Sequence, residues 1–383
     1  MTEETSTTLY FGPWYRKSPY FEATLKGGCD AYDVYNHMYL PAHYDDPVKE
    51  YWALLEGVTV WDVGVERIVQ VAGPDAPAFT NMLTCRDLTR CAPGQGKYAP
   101  LLTPEGGIIN DPVLLRVAED RFWLCLADSD ASLWVRGIAW RGGMDVEVDE
   151  PDVYPLQVQG KHAKDVMGSL FGEDVLGLRY YWCTATDLDG IPVVVSRTGW
   201  TGEIGYEVYL QDPSRGEELW DRIMDAGRRY DIRPIAPCEP RRVEAGIFNY
   251  GSDMTITDTP LEVTGMERLV EDQDGDYLGK EALGRLRDRG VRRKLVGVEM
   301  DGEPLESEFH EQRAAHHGDR QIGPVTVMVW SPRLERNIGY VWVPIELAEP
   351  GTEIEVDAPG RGRVPARTAT LPFIDPHKRI PAA

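Results

Sequence analysis

Asp111 is an acid where a strand would be expected to be apolar. It lies in "GGIINDPVLL", Gly106 to Leu115, with apolar residues on both sides of Asn110 and Asp111. Pro112 disfavours the helical region for the residue before it, so Asp111 is held extended. Proline cannot donate to a ladder, so strand pairing must open here, at an edge or a bulge. Bulges commonly aim a side chain into a site. A carboxylate placed in this way can take a proton and steady a positive charge growing beside it. The ordinary structural alternative is an acid that caps a local turn. Glu207 is the second candidate. It follows a glycine-rich turn in "GYEVYL", a strand where apolar and tyrosine residues surround it. One carboxylate can accept two hydrogen bonds from adjacent N–H groups. Its ordinary alternative is a surface acid facing a Lys or Arg.

Other polar and aromatic residues could border such a site. "YNHMYLP" carries Asn36, His37 and Tyr39, and Glu66-Arg67 reads as a buried ion pair beside a substrate pocket. Tyr98 in "GKYAPLL" and Trp200 in "TGWTGE" are aromatic candidates, although filling a core is the usual fate of aromatics. Arg242 follows Arg241 in "RRVEAGIF", and adjacent helical residues do not share a face. No metal site is expected. The six cysteines are scattered, and the pair His316-His317 lies in a polar loop without ligand spacing. No nucleotide-binding glycine fingerprint is present.

The elements that must position these residues are readable in outline. "VKEYWALLEG" has helical spacing and turns strand-like after Gly57. "GKYAPLLTPEGGIINDPVLLRVAEDRFWLCLA" reads as three strands, joined at "TPEGG" and "AEDR". "YPLQVQG" is a strand, "KHAKDVMGSLFG" a helix, and "IPVVVSRTGWTGEIGYEVYLQ" a hairpin. "EPRRVEAGIFNYG" reads as a helix, and "EALGRLRDRGVRRK" as a charged helix at a domain boundary. Short strands with Gly and Pro turns follow, the pattern of a small β-barrel or sandwich. Residues 1–20 read as a poorly ordered or surface-draped tail.

With 383 residues, 42% hydrophobic and 27% charged, the chain has ordinary globular composition and room for two or three domains. A net charge of −23 repels nucleic acid and anionic membranes, so neither is expected as a partner. No apolar run reaches the length of a membrane span. The N-terminus lacks a secretory layout, and reduced thiols suit a cytoplasmic location.

Taken together, "GGIIND", "RTGWTGEIGYEVYL", "RRVEAGIFNYGSDM", "TPLE" and "DYLGKEAL" resemble the aminomethyltransferase family in order and register. That family includes the glycine cleavage T-protein and other tetrahydrofolate-dependent one-carbon transferases. "SPRLERNIGYVWVP" resembles its barrel domain, and the likeness spans about residues 30–375. It implies an α+β, three-domain fold around a central folate channel. A discontinuous folate-binding domain would cover 20–66 and 150–285. An inserted α+β domain would cover 67–149, and a C-terminal β-barrel 290–383. The implied cofactor is tetrahydrofolate. The implied folate-binding residues are Tyr98, Asp111, Trp200, Glu207 and Arg242, with Asp111 as the catalytic acid beside the folate's reactive nitrogen. Asn36, His37, Tyr39 and Glu66 would face the substrate.

Within the family, "YNHMYLP", "VWDVGVER", "NDPVLLR" and "FWLCLADSD" resemble the tetrahydrofolate-dependent dimethylsulfoniopropionate demethylases. The T-protein pattern has S-H-M where this chain has Gly64-Val65-Glu66, and two acids where it has Asn110-Asp111. It has Tyr at Trp200, and Arg at Cys238, for which Arg242 one turn later would compensate unless it only pairs with an acid. "WTGEIGYE" keeps the wider family's T-G-E. The leading expectation is therefore methyl transfer from a small-molecule donor such as dimethylsulfoniopropionate to N5 of tetrahydrofolate. The alternatives are the glycine cleavage aminomethyltransferase, which would dock a lipoyl carrier protein, and a folate-binding regulatory protein without chemistry. The oligomeric state is open, a homodimer included.

Overall fold

The structure, a computed structural model, describes residues 12–309 and 311–383. A six-stranded sheet carries most of the site. Its order is Cys183–Leu188, Ile191–Ser196, Gly205–Leu210, Tyr154–Gln159, Thr59–Asp62 and Arg233–Pro234. Only the last pairing is parallel. One face is apolar because every second residue is. Val60, Leu156, Val158, Val193, Val195, Val208 and Leu210 pack on the helices Ala163–Phe171 and Gly216–Gly227, through Val166, Met167, Leu219, Trp220 and Ile223. Each such buried side chain contributes roughly 1.5–3 kcal/mol. On the opposite face Trp61, Gln157, Glu207 and Ser196 stand side by side in register. All four are buried.

A five-stranded antiparallel sheet is inserted between Thr59–Asp62 and Tyr154–Gln159. Its order is Glu147–Asp149, Ile68–Ala72, Arg121–Cys125, Val113–Ala118 and Gly96–Tyr98. Val69, Val71, Leu114, Phe122 and Leu124 face the helices Ala76–Met82 and Ala131–Gly142. Ile68, Leu115, Trp123 and Cys125, on the other side, pack against Val194 and Tyr209 of the first sheet. The two sheets therefore face each other.

Residues 96–125 form five strands rather than the expected three. Leu101–Leu102 and Ile108–Asn110 leave the main sheet as a ribbon of their own, and pairing in the large sheet resumes only at Val113–Ala118. Asp111 and Pro112 occupy the break. The Pro112 carbonyl still accepts a bond from Ala99 N–H at 3.0 Å.

The C-terminal strands close a six-stranded barrel in the order Arg293–Met300, Arg336–Pro344, Arg320–Ser331, Arg313–His317, Glu353–Ala358 and Gly362–Ala369. Val298, Met328, Val341 and Val356 lie in its core. Val327, Val329, Ile338 and Tyr340 pack on Val243 of the short helix Glu239–Glu244 and on Phe248 and Met254 beyond it. Of the expected tail, residues 1–11 lie outside the described residues. Residues 12–20 are pinned rather than draped: Tyr20 is buried and Ser18 Oγ donates to Asp62 at 2.5 Å.

The loop bearing Trp200 is set by one side chain. Gln159 donates to the Thr198 and Tyr206 carbonyls at 3.3 and 3.4 Å and accepts from Thr201 Oγ1 at 2.9 Å. It lies between two glycines: a Cβ at Gly199 or Gly205 would come within 2.2 or 2.1 Å of its Oε1. Gly205→Ala should therefore destabilise the protein by about 1–3 kcal/mol, as overpacking does. A urea midpoint unchanged from wild type would show that Gln159 moves aside freely.

Candidate active site

Asp111 is buried, and Tyr98 Oη donates to its Oδ2 at 2.7 Å. Burial pushes this carboxyl up to about 7. The Tyr98 phenol opposes that rise and the charge of Asp253 adds to it. Tyr35 joins from the hairpin of Ala31–Tyr35 and Met38–His43, its Oη 3.3 Å from Asn249 Oδ1. Burial raises the Tyr35 phenol, and the charges of Asp111 and then Glu66 raise it further. Tyr35 thus feels the charge of both acids.

Glu207 holds the middle of the polar row. Its Oε1 accepts from Gln157 Nε2 at 2.8 Å. Its Oε2 accepts from Tyr209 Oη at 2.8 Å, from Ser196 Oγ at 3.4 Å and from Thr198 Oγ1. Burial raises its pKa, and the four donors pull it back, Thr198 foremost. Glu66 is partly buried. Burial holds its carboxyl well above the usual range and the charge of Glu207 adds to that. Arg67 does not relieve it. The expected pair between Glu66 and Arg67 is replaced by Arg67 clasping Glu150 through Nε and Nη2, at 3.1 and 2.5 Å.

Trp200 is partly buried, with the Arg242 guanidinium 5.3 Å from its ring centroid. Such contacts contribute roughly 0.5–2 kcal/mol. Arg242 is buried and fully engaged. It donates to Glu239 at 2.8 Å, Asp253 at 2.7 Å and the Ile247 carbonyl at 3.1 Å. Its remaining contact towards the Trp200 loop is the ring of Trp200 itself. Arg241 turns the other way and bonds Glu203 of the T-G-E sequence at 2.8 Å, which fastens the Trp200 loop to the helix.

Asn36, His37 and Tyr39 of "YNHMYLP" serve the scaffold. Asn36 and His37, at φ 49° and 60°, form the hairpin turn. The side chain of Asn36 is buried and bonded to the Val65 and Leu126 carbonyls, and His37 is exposed. Tyr39 is buried against Tyr15 and Phe21, and its Oη accepts from Gly12 N–H at 2.7 Å. None of these contacts places the three side chains beside Asp111. The hairpin contributes Tyr35 instead, a residue the sequence reading passed over. It passed over Gln157 as well. The signal there was "LQVQ", two amides alternating with two buried apolar residues.

The polar row suits one edge of a pterin. Gln157 Oε1 is buried without a hydrogen-bond partner, and Glu207 Oε1 receives one donor. Two acceptors on one sheet face match a ring that presents an N–H and an amine. Buried acceptors left unpaired are costly, which favours a ligand that donates to them. Among the described residues, no three His, Cys, Asp or Glu side chains gather to hold a metal ion, and no helix is long and apolar enough to cross a membrane.

The chain is similar to known proteins over most of its length. The GCVT N-terminal domain matches residues 20–273, and the glycine cleavage T-protein C-terminal barrel domain matches residues 293–375. The dimethylsulfoniopropionate demethylase of Ruegeria pomeroyi is 36% identical over 90% of this chain and 93% of its own. A probable aminomethyltransferase of Pyrococcus horikoshii is 31% identical over 88% of this chain and 92% of its own. The solved aminomethyltransferase of Bartonella henselae, 22% identical, superposes with a TM-score of 0.83 over 94% of this chain and 98% of its own, which shows the fold. The chain belongs to the glycine cleavage T-protein family and is one of its tetrahydrofolate-dependent methyl or aminomethyl transferases.

Proposed function

We propose that this enzyme is a demethylase that moves a methyl group from dimethylsulfoniopropionate, or a related methylated cation, to tetrahydrofolate. The observation that carries the reading is Asp111. It is a buried carboxyl held by Tyr98 at a break in the strands. The identity with the Ruegeria pomeroyi demethylase supports the choice of donor.

Glu207 and Gln157 would hold the pterin edge, with Trp200 flanking it. Tetrahydrofolate, when bound, supplies N5 as the methyl acceptor. Asp111 takes the proton that N5 gives up, and its charge steadies the cation developing there. A sulfonium leaves as a neutral thioether: the S–CH3 bond breaks and its electron pair stays on sulfur. No acid is needed on that side, so the main task of the protein is alignment. The donor would leave as methylthiopropionate.

Incubation with tetrahydrofolate and a panel of methyl donors, read by mass, tests this. Dimethylsulfoniopropionate should give 5-methyltetrahydrofolate, with no change on adding a chelator. Turnover only with a lipoylated carrier protein would overturn the reading in favour of an aminomethyltransferase. Folate binding without a methyl product from any donor would leave a regulatory binder.

A further inference from the structure

Tyr35, Glu66 and Asp111 come from three separate segments, yet each is one residue away from the same hydrogen-bonded knot. Asn36 follows Tyr35, Val65 precedes Glu66 and Asn110 precedes Asp111. Asn36 Nδ2 donates to the Val65 carbonyl at 3.0 Å and the Leu126 carbonyl at 3.3 Å. Asn36 Oδ1 accepts from Ser129 N–H at 3.1 Å, and its backbone N–H donates to Asp128 Oδ1 at 2.8 Å. Asn110 closes the knot from the other side. Its Nδ2 donates to Ser129 Oγ at 2.7 Å and to the Ala127 carbonyl at 2.9 Å, and its Oδ1 accepts from Ala127 N–H at 3.1 Å. Both amides are buried, at 1% and 0% exposure.

We propose that Asn110, joined to Asn36 through Ser129, is a positioning residue that fixes the segments bearing Asp111, Tyr35 and Glu66 relative to one another for methyl transfer. The role rests on the reading of Asp111 as the proton acceptor. The side chain at 110 donates twice through Nδ2 and accepts once through Oδ1, which an uncharged amide can do and a carboxylate cannot. A carboxylate there could keep Ala127 N–H, but it would press an oxygen against the Ala127 carbonyl and leave a buried charge short of donors. This accounts for an amide at the position where the T-protein pattern has its first acid. Asn36 bonds through its own side chain and backbone, which ties the Tyr35 hairpin to the same frame. Misplacing a reacting group by about 1 Å can cost on the order of a hundredfold in rate.

The test compares Asn110→Asp, Ser129→Ala and Ser129→Thr with wild type, by single-turnover methyl transfer and by tetrahydrofolate titration. Asn110→Asp should slow transfer by roughly tenfold to a hundredfold while the folate Kd stays within about threefold, because Glu207 lies on the other sheet. Ser129→Ala, a milder change at a partly exposed residue, should slow it about three- to tenfold, and Ser129→Thr, which keeps the hydroxyl, should restore it. Folded variants with wild-type rates, or a loss in Ser129→Ala that Ser129→Thr does not repair, would overturn the role. If Asn110→Asp does not fold, the serine pair decides. A wild type that yields no methyl product overturns the demethylase reading itself, and this role with it.

Discussion

Asp111→Asn should fold, bind tetrahydrofolate within about tenfold of wild type, and transfer methyl groups roughly 10²–10⁴ times more slowly, the usual size of a general-base contribution. Asn is nearly isosteric, and its Oδ1 can still accept from Tyr98 Oη, the bond seen at 2.7 Å. What is lost is the ability to hold a proton at that oxygen and the negative charge beside the developing cation. The same substitution should stabilise the protein at alkaline pH. The buried carboxyl titrates at about 7 when folded, against an ordinary carboxylate value of 3.8 in the unfolded chain. The folded state therefore holds a proton that the unfolded state has released, and stability falls as pH rises from about 4 to 7. The full cost, on the order of 2–4 kcal/mol, is present above pH 7. An amide does not carry it. At pH 8 the variant should melt higher than wild type, and near pH 4 the two should converge. The wild-type rate should rise with pH through a midpoint near 7, and that limb should vanish in the variant. A variant with a near wild-type rate would show that Asp111 is a turn cap.

How much of this was legible beforehand depends on the range of the signal. The Asp111–Pro112 break followed from the backbone chemistry of proline, a property of two adjacent residues, and the strands do part there. The barrel followed from short apolar runs between Gly and Pro turns. The polar row did not. Trp61, Gln157, Glu207 and Ser196 are far apart in the chain, and only the register of four strands brings them together. Alternation within "YPLQVQG" indicates that Gln157 and Leu156 point opposite ways, not that the amide side faces Glu207. Arg67 and Arg242 show the same limit. Each was rightly a charged residue in need of a partner, but the partners are Glu150 for Arg67 and Asp253, with the neighbouring Glu239, for Arg242. The expectation for "YNHMYLP" placed Asn36, His37 and Tyr39 towards the substrate. The positive φ values of Asn36 and His37 make those two the turn, and Tyr35, just before it, is the residue whose phenol feels the charge of both acids.

The second large effect is expected at Glu207. Glu207→Ala should weaken tetrahydrofolate binding by roughly tenfold to a hundredfold, the equivalent of one hydrogen bond to a charged group, about 1.5–3 kcal/mol. That variant alone is ambiguous. It also strands Gln157 Nε2, Tyr209 Oη, Ser196 Oγ and Thr198 Oγ1, all of which donate to this carboxylate. The hydroxyls can turn towards one another, and Ser196 and Thr198 already touch. The Gln157 amide, held in a buried strand, cannot. Glu207→Ala should therefore also lower stability by about 1–3 kcal/mol, the cost of one buried donor left unmet. Glu207→Gln separates the two effects. Its carbonyl oxygen can keep the Gln157 bond, and its NH2 can donate to hydroxyls that accept as readily as they donate. It also removes a buried carboxyl whose pKa burial has raised, so its melting temperature should match or exceed that of wild type above neutral pH. The charge that favours the pterin's N–H groups is gone in both variants. Titration calorimetry should show Glu207→Gln binding tetrahydrofolate about tenfold more weakly than wild type at unchanged or higher stability. Equal affinity in that stable variant would mean that Glu207 only braces its own sheet, and the pterin edge would have to be sought away from the polar row.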